Sequence, residues 1–199
     1  QYLSYLVANC SKVIDSLTEE MLEVAEQTIE FEPVAGREGL TKRHAEPGSV
    51  TSFEKMSTAV GELETAKNAI ELAHSLLKFH DACSSTAGVA PSHPVIIRSI
   101  AGSGKTWACQ QMRYAIANKL CVGDHLDTVV PLLIPVQELV FLKSEKDGFK
   151  DVVHRFVDHR SAEWKQFQSM LHIAISMRAV ILIVDGIDEA ETLSADVEN

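Results

Sequence analysis

The chain has 199 residues and a net charge of −10, from 18 Lys and Arg against 28 Asp and Glu. This acidic balance argues against a broad nucleic-acid or membrane surface, because either would need a basic face. No apolar run approaches the roughly 20 residues that a membrane-spanning helix requires. The four cysteines are scattered, which fits a reduced compartment. We therefore expect a cytoplasmic globular protein without a membrane span and without nucleic acid as a partner.

The first 83 residues predict a helical module of two long amphipathic helices. Over residues 1–31, apolar side chains recur at threes and fours, which is the spacing of one helical stripe. Residues 32–50 contain prolines and glycines and predict a loop. A second helix begins near Thr51, where Thr51-x-x-Glu54 has the spacing of a capping box, and its stripe runs from Phe53 to Leu77.

The two helices are expected to bury their stripes against each other or against a third, missing element. The pattern fits a structural helical hairpin or coiled coil. The alternative is a signalling or oligomerisation arm, through which the chain would associate with itself or with other signalling proteins. Residues 84–94 are small and polar and include Pro91 and Pro94. They predict a linker to a second domain at 95–199.

The second domain opens with an apolar run, Val95–Ile100, that predicts a buried strand, and a turn of small residues follows it. Gly102 and Gly104 allow a sharp bend with backbone N–H groups turned inward, as in a loop that cradles phosphate. The helix that starts near Lys105 directs its positive end into the same space. The predicted nucleotide-binding residues are Ser99, Ile100, Ala101, Gly102, Ser103, Gly104, Lys105 and Thr106.

Each end of this loop has a specific chemical role. Lys105 can reach the β- and γ-phosphates, and the Thr106 hydroxyl can ligate Mg²⁺. Ser99 stands where the pattern G-x-x-x-x-G-K-[ST] has a glycine, and we interpret it as a tolerated variant. The alternative, a flexible surface loop, would explain the glycines but not the flanking strand and helix.

Further elements follow in order: a helix over 106–120, a strand over 127–136, and helices near 149–158 and 161–177. Pro131 and Pro135 lack an N–H group, so the strand at 127–136 lies at a sheet edge or ends at Pro135. Residues 179–184 are continuously apolar, which predicts a strand buried on both faces in a parallel sheet with helices on either side.

An acidic cluster follows that last strand. Asp185 stands at its C-terminal end, on the rim where open α/β sheets bind ligands, and is predicted to hold Mg²⁺ through its water ligands. Asp188 and Glu189 are the candidate catalytic residues, because either can polarise the water that attacks the γ-phosphate, and Asp188 is slightly favoured. The alternative for Asp185 is an ordinary Asp-Gly turn.

Three segments together resemble the NACHT domain of the signal-transduction ATPases with numerous domains: Ala101–Thr106, Pro131–Pro135 and Ile183–Ala190. The resemblance covers roughly residues 94–195. It implies an α/β P-loop NTPase with a parallel sheet, ATP or ADP and Mg²⁺ as cofactors, and a signalling switch in which nucleotide exchange or hydrolysis controls conformation and oligomerisation.

The resemblance also implies that a later strand lies between the phosphate-loop strand and the strand carrying Asp185. That strand should follow residue 199, so we expect an incomplete site in a piece of a longer protein, with weak or absent hydrolysis.

Two other functions fit the sequence. A small-molecule or nucleotide kinase would need convergent basic residues, for which Arg155, Arg160 and Lys165 are candidates. A scaffold that binds nucleotide without turnover is the third possibility. The eight histidines show no ligand spacing, so a metal site other than Mg²⁺ is not expected.

Overall fold

The structure is a computed structural model. It describes residues 1–14, 21–25, 63, 65–84, 103–122, 129–143, 148–160 and 164–187. In chain order the elements are α1 (Tyr2–Cys10), β1 (Lys12–Ile14), β2 (Met21–Glu23), α2 (Ala69–Ser84), α3 (Lys105–Val122), β3 (Val130–Pro135), α4 (Val136–Leu142), α5 (Phe149–His159), α6 (Gln168–Ser176) and β4 (Val180–Asp185). The architecture is a mixed α/β one, as the sequence predicts at that level.

A parallel pair of strands lies at the centre of the described residues. β3 and β4 pair in register from Val130 with Val180 to Pro135 with Asp185. The connection between them runs through α4, α5 and α6, which is the crossover that parallel strands require. The predicted end of the first strand at Pro135 is confirmed. The strand predicted over residues 95–100 lies outside the described residues.

Each face of this sheet is covered by helices because successive side chains of a strand point to opposite faces. Leu132 and Ile134 pack with α1, α5 and α6 around the fully buried Phe156. Leu133 and Ile183 face the other way and pack with α2 and α3. Helices on both faces of a parallel pair explain why both strands are continuously apolar. None of the helices in this part of the chain is long and apolar enough to cross a membrane.

The predicted single helix over residues 1–31 is wrong. α1 ends at Cys10, and β1 and β2 then form an antiparallel pair in which the Lys12 ammonium lies 2.9 Å from the Glu23 carboxylate. Val24 follows β2, is fully buried and accepts a 2.8 Å hydrogen bond at its carbonyl from the Gln111 side chain of α3. In a continuous helix residue 24 would lie about 20 Å beyond Cys10 along the axis. The reversal therefore allows α1 and Val24 to pack against the same helix, α3.

In the region of the predicted second helix, Leu63 and Thr65 are helical, and α2 begins at Ala69. The side chain of Asn68 accepts a 2.9 Å hydrogen bond from the backbone N–H of Glu71 and so caps α2. Residues 66–68 are not helical, and the predicted start near Thr51 lies outside the described residues, as does nearly all of the predicted linker.

α1 and α2 do not form the predicted hairpin. Both pack against α3: Leu72, Ala73 and Leu77 of α2 lie in one apolar cluster with Met112 and Ile116 of α3, and α1 contacts the same helix. The third element expected for these stripes is therefore α3, which lies within the chain.

Candidate functional site

The described end of the predicted phosphate loop, Ser103 and Gly104, leads into α3 through a glycine in a left-handed conformation. Gly104 has φ 85°, which a residue with a Cβ rarely adopts. Its carbonyl accepts the first bond of the helix, from the Ala108 N–H at 2.9 Å. Lys105 is half-buried and Thr106 is exposed at the helix start. The aligned peptide dipoles of α3 give this first turn a partial positive charge.

Asp185 is the last residue of β4, and a second left-handed glycine follows it. Gly186 has φ 81°, so the chain turns away from the sheet immediately after the carboxylate. Asp185 pairs in register with Pro135, the last residue of β3. Both strands therefore end at the same rim, and parallel sheets bind ligands beyond the carboxyl ends of their strands.

A cleft of about 230 Å³ occupies this rim. It is lined by Lys105, Thr106, Pro135, Val136, Gln137, Asp185 and Gly186. The cleft thus brings together a lysine and a threonine from the start of α3 and the carboxylate at the end of β4. The two motifs lie about 80 residues apart in the sequence, and the fold places them side by side.

The oxygen donors in the cleft are of the kind that Mg²⁺ prefers. Thr106 offers a hydroxyl and Asp185 a carboxylate, and Mg²⁺ in proteins usually has one or two such ligands and keeps several waters. The described residues contain no group of three or more His, Cys, Asp or Glu side chains that could hold a metal ion. This donor set fits a hydrated Mg²⁺ held in part by a bound phosphate better than a metal caged by the protein.

Cys109 of α3 contacts Asp185. It was not among the site residues predicted from the sequence. Its Sγ donates to Asp185 Oδ1 at 3.8 Å, and the side chain is buried. Burial, reinforced by the neighbouring Asp185 carboxylate, raises the pKa of the Cys109 thiol to about 12. The thiol therefore stays protonated and remains a donor. The available signal was its position one turn after Lys105, on the face of α3 that also carries Met112 and Ile116.

Gln137 is the second residue missed from the sequence. It lies in the first turn of α4 and lines both the cleft and a second cavity of about 390 Å³, which is formed with Glu138, Phe141, Leu142 and His159. The Phe141 side chain is exposed and meets the His159 ring edge to face at 6.2 Å. A second cavity therefore adjoins the cleft at Gln137.

The basic residues considered for a kinase do not line the cleft. Arg160 forms an ion pair with Glu138 at 2.6 Å, and its guanidinium lies over the Phe156 ring at 5.4 Å. Neither Arg155 nor Lys165 is among the residues of the cleft or of the second cavity.

Several predicted site residues lie outside the described part of the chain. These are Ser99, Ile100, Ala101 and Gly102 of the loop and both candidate catalytic acids, Asp188 and Glu189. Their roles stay predictions. Ser103 is described and forms the bend that precedes Gly104.

Comparison of the chain with protein-family models, with curated proteins and with solved structures gives no match. The cleft geometry and the sequence motifs are accordingly the basis for assigning a function.

Proposed function

We propose that the chain is an Mg²⁺-dependent, ATP-binding signalling switch of the P-loop NTPase class. The observation that carries the proposal is the single cleft shared by Lys105, Thr106 and Asp185. A cation for phosphate, a hydroxyl and a carboxylate for Mg²⁺, and a helix N-terminus meet there from two elements, the start of α3 and the end of β4. A turn serving only structure would need none of these groups to meet.

Binding would proceed through the chain's own groups. The ammonium of Lys105 neutralises the β- and γ-phosphates, while N–H groups at the start of α3 donate to their oxygens. Thr106 would hold Mg²⁺ directly and Asp185 through its water ligands, and the ion would supply charge neutralisation for the phosphates. Asp188 or Glu189 would orient the attacking water as a general base. Hydrolysis is expected to be slow.

The signalling part of the proposal is supported by the resemblance to NACHT domains and by the position of α3. The helix that begins at the phosphates is also the one against which α1 and α2 pack. A change in the nucleotide at the N-terminus of α3 would therefore act on a helix that both N-terminal helices contact. This connection gives a physical route from nucleotide state to self-association or to partner binding.

The test is binding of fluorescent ADP and ATP analogues to the 199-residue chain with and without Mg²⁺. We expect Lys105→Ala to abolish binding, because the phosphates lose their cation. Lys119→Ala removes an exposed lysine from the last turn of the same helix and should leave binding unchanged. Equal affinity of wild type and Lys105→Ala would exclude the site.

Light scattering tests the switch. Binding without phosphate release would indicate a nucleotide-binding scaffold. A change in molar mass between ADP and a non-hydrolysable ATP analogue would support the switch, and an unchanged mass with both nucleotides bound would count against it.

One observation favours a second candidate function, phosphoryl transfer to a small acceptor. The cavity at Phe141 and His159 adjoins the cleft at Gln137, where an acceptor could be held beside the γ-phosphate. Phosphorus NMR of a reaction with ATP and candidate acceptors separates the two functions. A switch releases inorganic phosphate alone, whereas a kinase yields a new phosphorylated product.

A further inference from the structure

A pair of histidines connects α5 with α6, two of the helices in the crossover between β3 and β4. His154 Nδ1 and His172 Nδ1 lie 2.6 Å apart. Their ring planes differ by 20° and their centroids are 4.9 Å apart. That centroid separation is what two rings require when they meet nitrogen to nitrogen in nearly one plane. The in-plane lone pair of one ring therefore faces the N–H of the other, which is the geometry of a hydrogen bond.

The other nitrogen of His172 is fixed by a carboxylate. His172 Nε2 lies 2.8 Å from Asp158 Oδ1, and the side-chain amide of Gln168 donates to the same oxygen at 2.6 Å. A carboxylate oxygen only accepts, so His172 carries its proton on Nε2. Asp158 and His154 belong to α5, whereas His172 and Gln168 belong to α6. The group as a whole therefore links the two helices.

The hydrogen bond between the two rings can form only in some protonation states of the pair. With both rings neutral, His172 Nδ1 is an acceptor and His154 must donate from its own Nδ1. With one added proton, His172 becomes an imidazolium held by Asp158 and donates to His154 Nδ1 instead. With two added protons, both Nδ1 atoms carry hydrogens and face each other, so the bond is lost and two positive charges repel.

We propose that His154, His172 and Asp158 form a proton-sharing latch that holds α5 against α6 with zero or one added proton and releases when a second proton binds. This proposal is independent of nucleotide binding. Because α6 leads through a short turn into β4, the latch also fixes the helix that precedes the strand carrying Asp185. In that turn the Ala179 N–H donates to the Ala174 carbonyl at 2.8 Å, and Arg178 has φ 57°.

The charged groups around the pair favour this order of protonation. Burial, then His172, then Lys150 lower the pKa of His154, and Asp151 and Asp158 only partly oppose them. Burial tends to raise the pKa of Asp158, but the hydrogen bonds from His172 and Gln168 outweigh it and the net shift is downward. From α4, Glu138 is already paired with Arg160. Asp158 therefore remains ionised, and His154 binds a proton less readily than an ordinary histidine.

The sign of the pH effect follows from these directions. A histidine whose pKa is lower in the folded than in the unfolded state binds fewer protons when folded, so folding is favoured above its unfolded pKa. The contribution is complete above about pH 6.5, the ordinary value for histidine. It is lost as the pH falls from there through the lowered pKa of His154.

The test is an NMR titration of the histidine ring signals in the whole chain, with EDTA present to exclude adventitious divalent cations. In the wild type we expect His154 to titrate below the ordinary range for histidine, because burial and the facing His172 ring lower its pKa. In His172→Gln the His154 curve should shift upward. A His154 curve at the ordinary value for histidine in the wild type would overturn the proposal without need of any variant.

Thermal unfolding as a function of pH provides a second readout. The wild type should lose stability between about pH 6.5 and pH 5 more steeply than His154→Gln, which has no second proton to bind in the latch. His159→Gln serves as the matched control, since His159 lies on the same helix and contacts the Phe141 ring rather than another histidine. If the control flattened the profile as much as His154→Gln, the latch would not be its cause.

Discussion

The thiol of Cys109 and the carboxylate of Asp185 join the first turns of α3 to the last residue of β4. The Sγ–Oδ1 distance is 3.8 Å, and the thiol is buried beneath the cleft that Lys105, Thr106 and Asp185 share. A protonated thiol donates only weakly, yet here it fixes which carboxylate oxygen remains available to the cleft. Cys109 is thus a positioning residue for the proposed Mg²⁺ site.

Substitution of Cys109 tests that role. Cys109→Ala should weaken the Mg²⁺ dependence of nucleotide binding about threefold, because one oxygen of Asp185 loses its donor. Cys109→Ser keeps a donor and should restore most of the effect. The measurement is Mg²⁺ titration at saturating fluorescent nucleotide, with binding in EDTA as a separate readout. If alanine and serine variants have the same Mg²⁺ affinity, the thiol has no positioning role.

Asp185 itself should matter for the metal more than for the nucleotide. Asp185→Asn keeps the shape of the side chain but removes the negative charge that holds Mg²⁺ and its waters. We expect a loss of Mg²⁺ affinity of about ten- to a hundredfold, as for other groups that orient metal ligands, with nucleotide binding in EDTA little changed. Intact Mg²⁺ dependence in this variant would separate the acidic motif from the phosphate loop.

The acidic residues beyond β4 should act on turnover instead. Asp188→Asn and Glu189→Gln are expected to preserve nucleotide and Mg²⁺ affinity while reducing phosphate release, and the larger reduction identifies the general base. Single-turnover release of phosphate from a saturated complex measures this directly. A loss of binding equal to the loss of turnover would assign these carboxylates to the metal rather than to the attacking water.

The sequence predicts which of the described residues share the cleft better than it predicts the N-terminal helices. Lys105, Thr106 and Asp185 could be paired because phosphate and Mg²⁺ chemistry needs fixed residue types at the ends of particular elements, and those rules are local. The apolar residues over 1–31 have helical spacing, but such spacing does not show where the chain reverses direction. The reversal after Cys10 is seen only in the pairing of β1 with β2 and in the contact of Val24 with Gln111 of α3, which are distant in the sequence.

Cys109 and Gln137 show a second limit. Each has an ordinary place in an amphipathic helix, and neither belongs to a motif with a fixed spacing. Their importance arises from contacts or cleft walls shared between elements distant in the chain, Cys109 with Asp185 and Gln137 with Lys105. Such contacts become visible once the register of β3 and β4 fixes which side chains share a rim.

The reversal after α1 can be tested through Gln111. This side chain is fully buried, and its amide donates to the Val24 carbonyl at 2.8 Å. Gln111→Leu should reduce the free energy of unfolding by about 1–3 kcal/mol, because the buried carbonyl would lose its donor. Urea denaturation followed by circular dichroism measures the change. Asn118→Leu, at an exposed position of the same helix, is the control. Equal stabilities of the two variants would contradict the buried contact.

The core on the α5 side of the sheet should depend most on Phe156. This residue is fully buried, and its ring meets the Trp164 ring edge to face at 5.9 Å. Phe156→Ala should lower the free energy of unfolding by about 3–5 kcal/mol, since the cavity left by a buried aromatic ring collapses only in part. Phe156→Leu retains most of the apolar volume and should lose less.

The leucine variant can also show whether the core affects nucleotide binding, because Arg160 lies over the Phe156 ring while it pairs with Glu138 beside the second cavity. If the leucine variant remains folded but changes nucleotide binding, the core beneath α5 and the cleft are coupled through α4. If it lowers stability alone, Phe156 contributes only to packing, and the core beneath α5 is not coupled to the cleft.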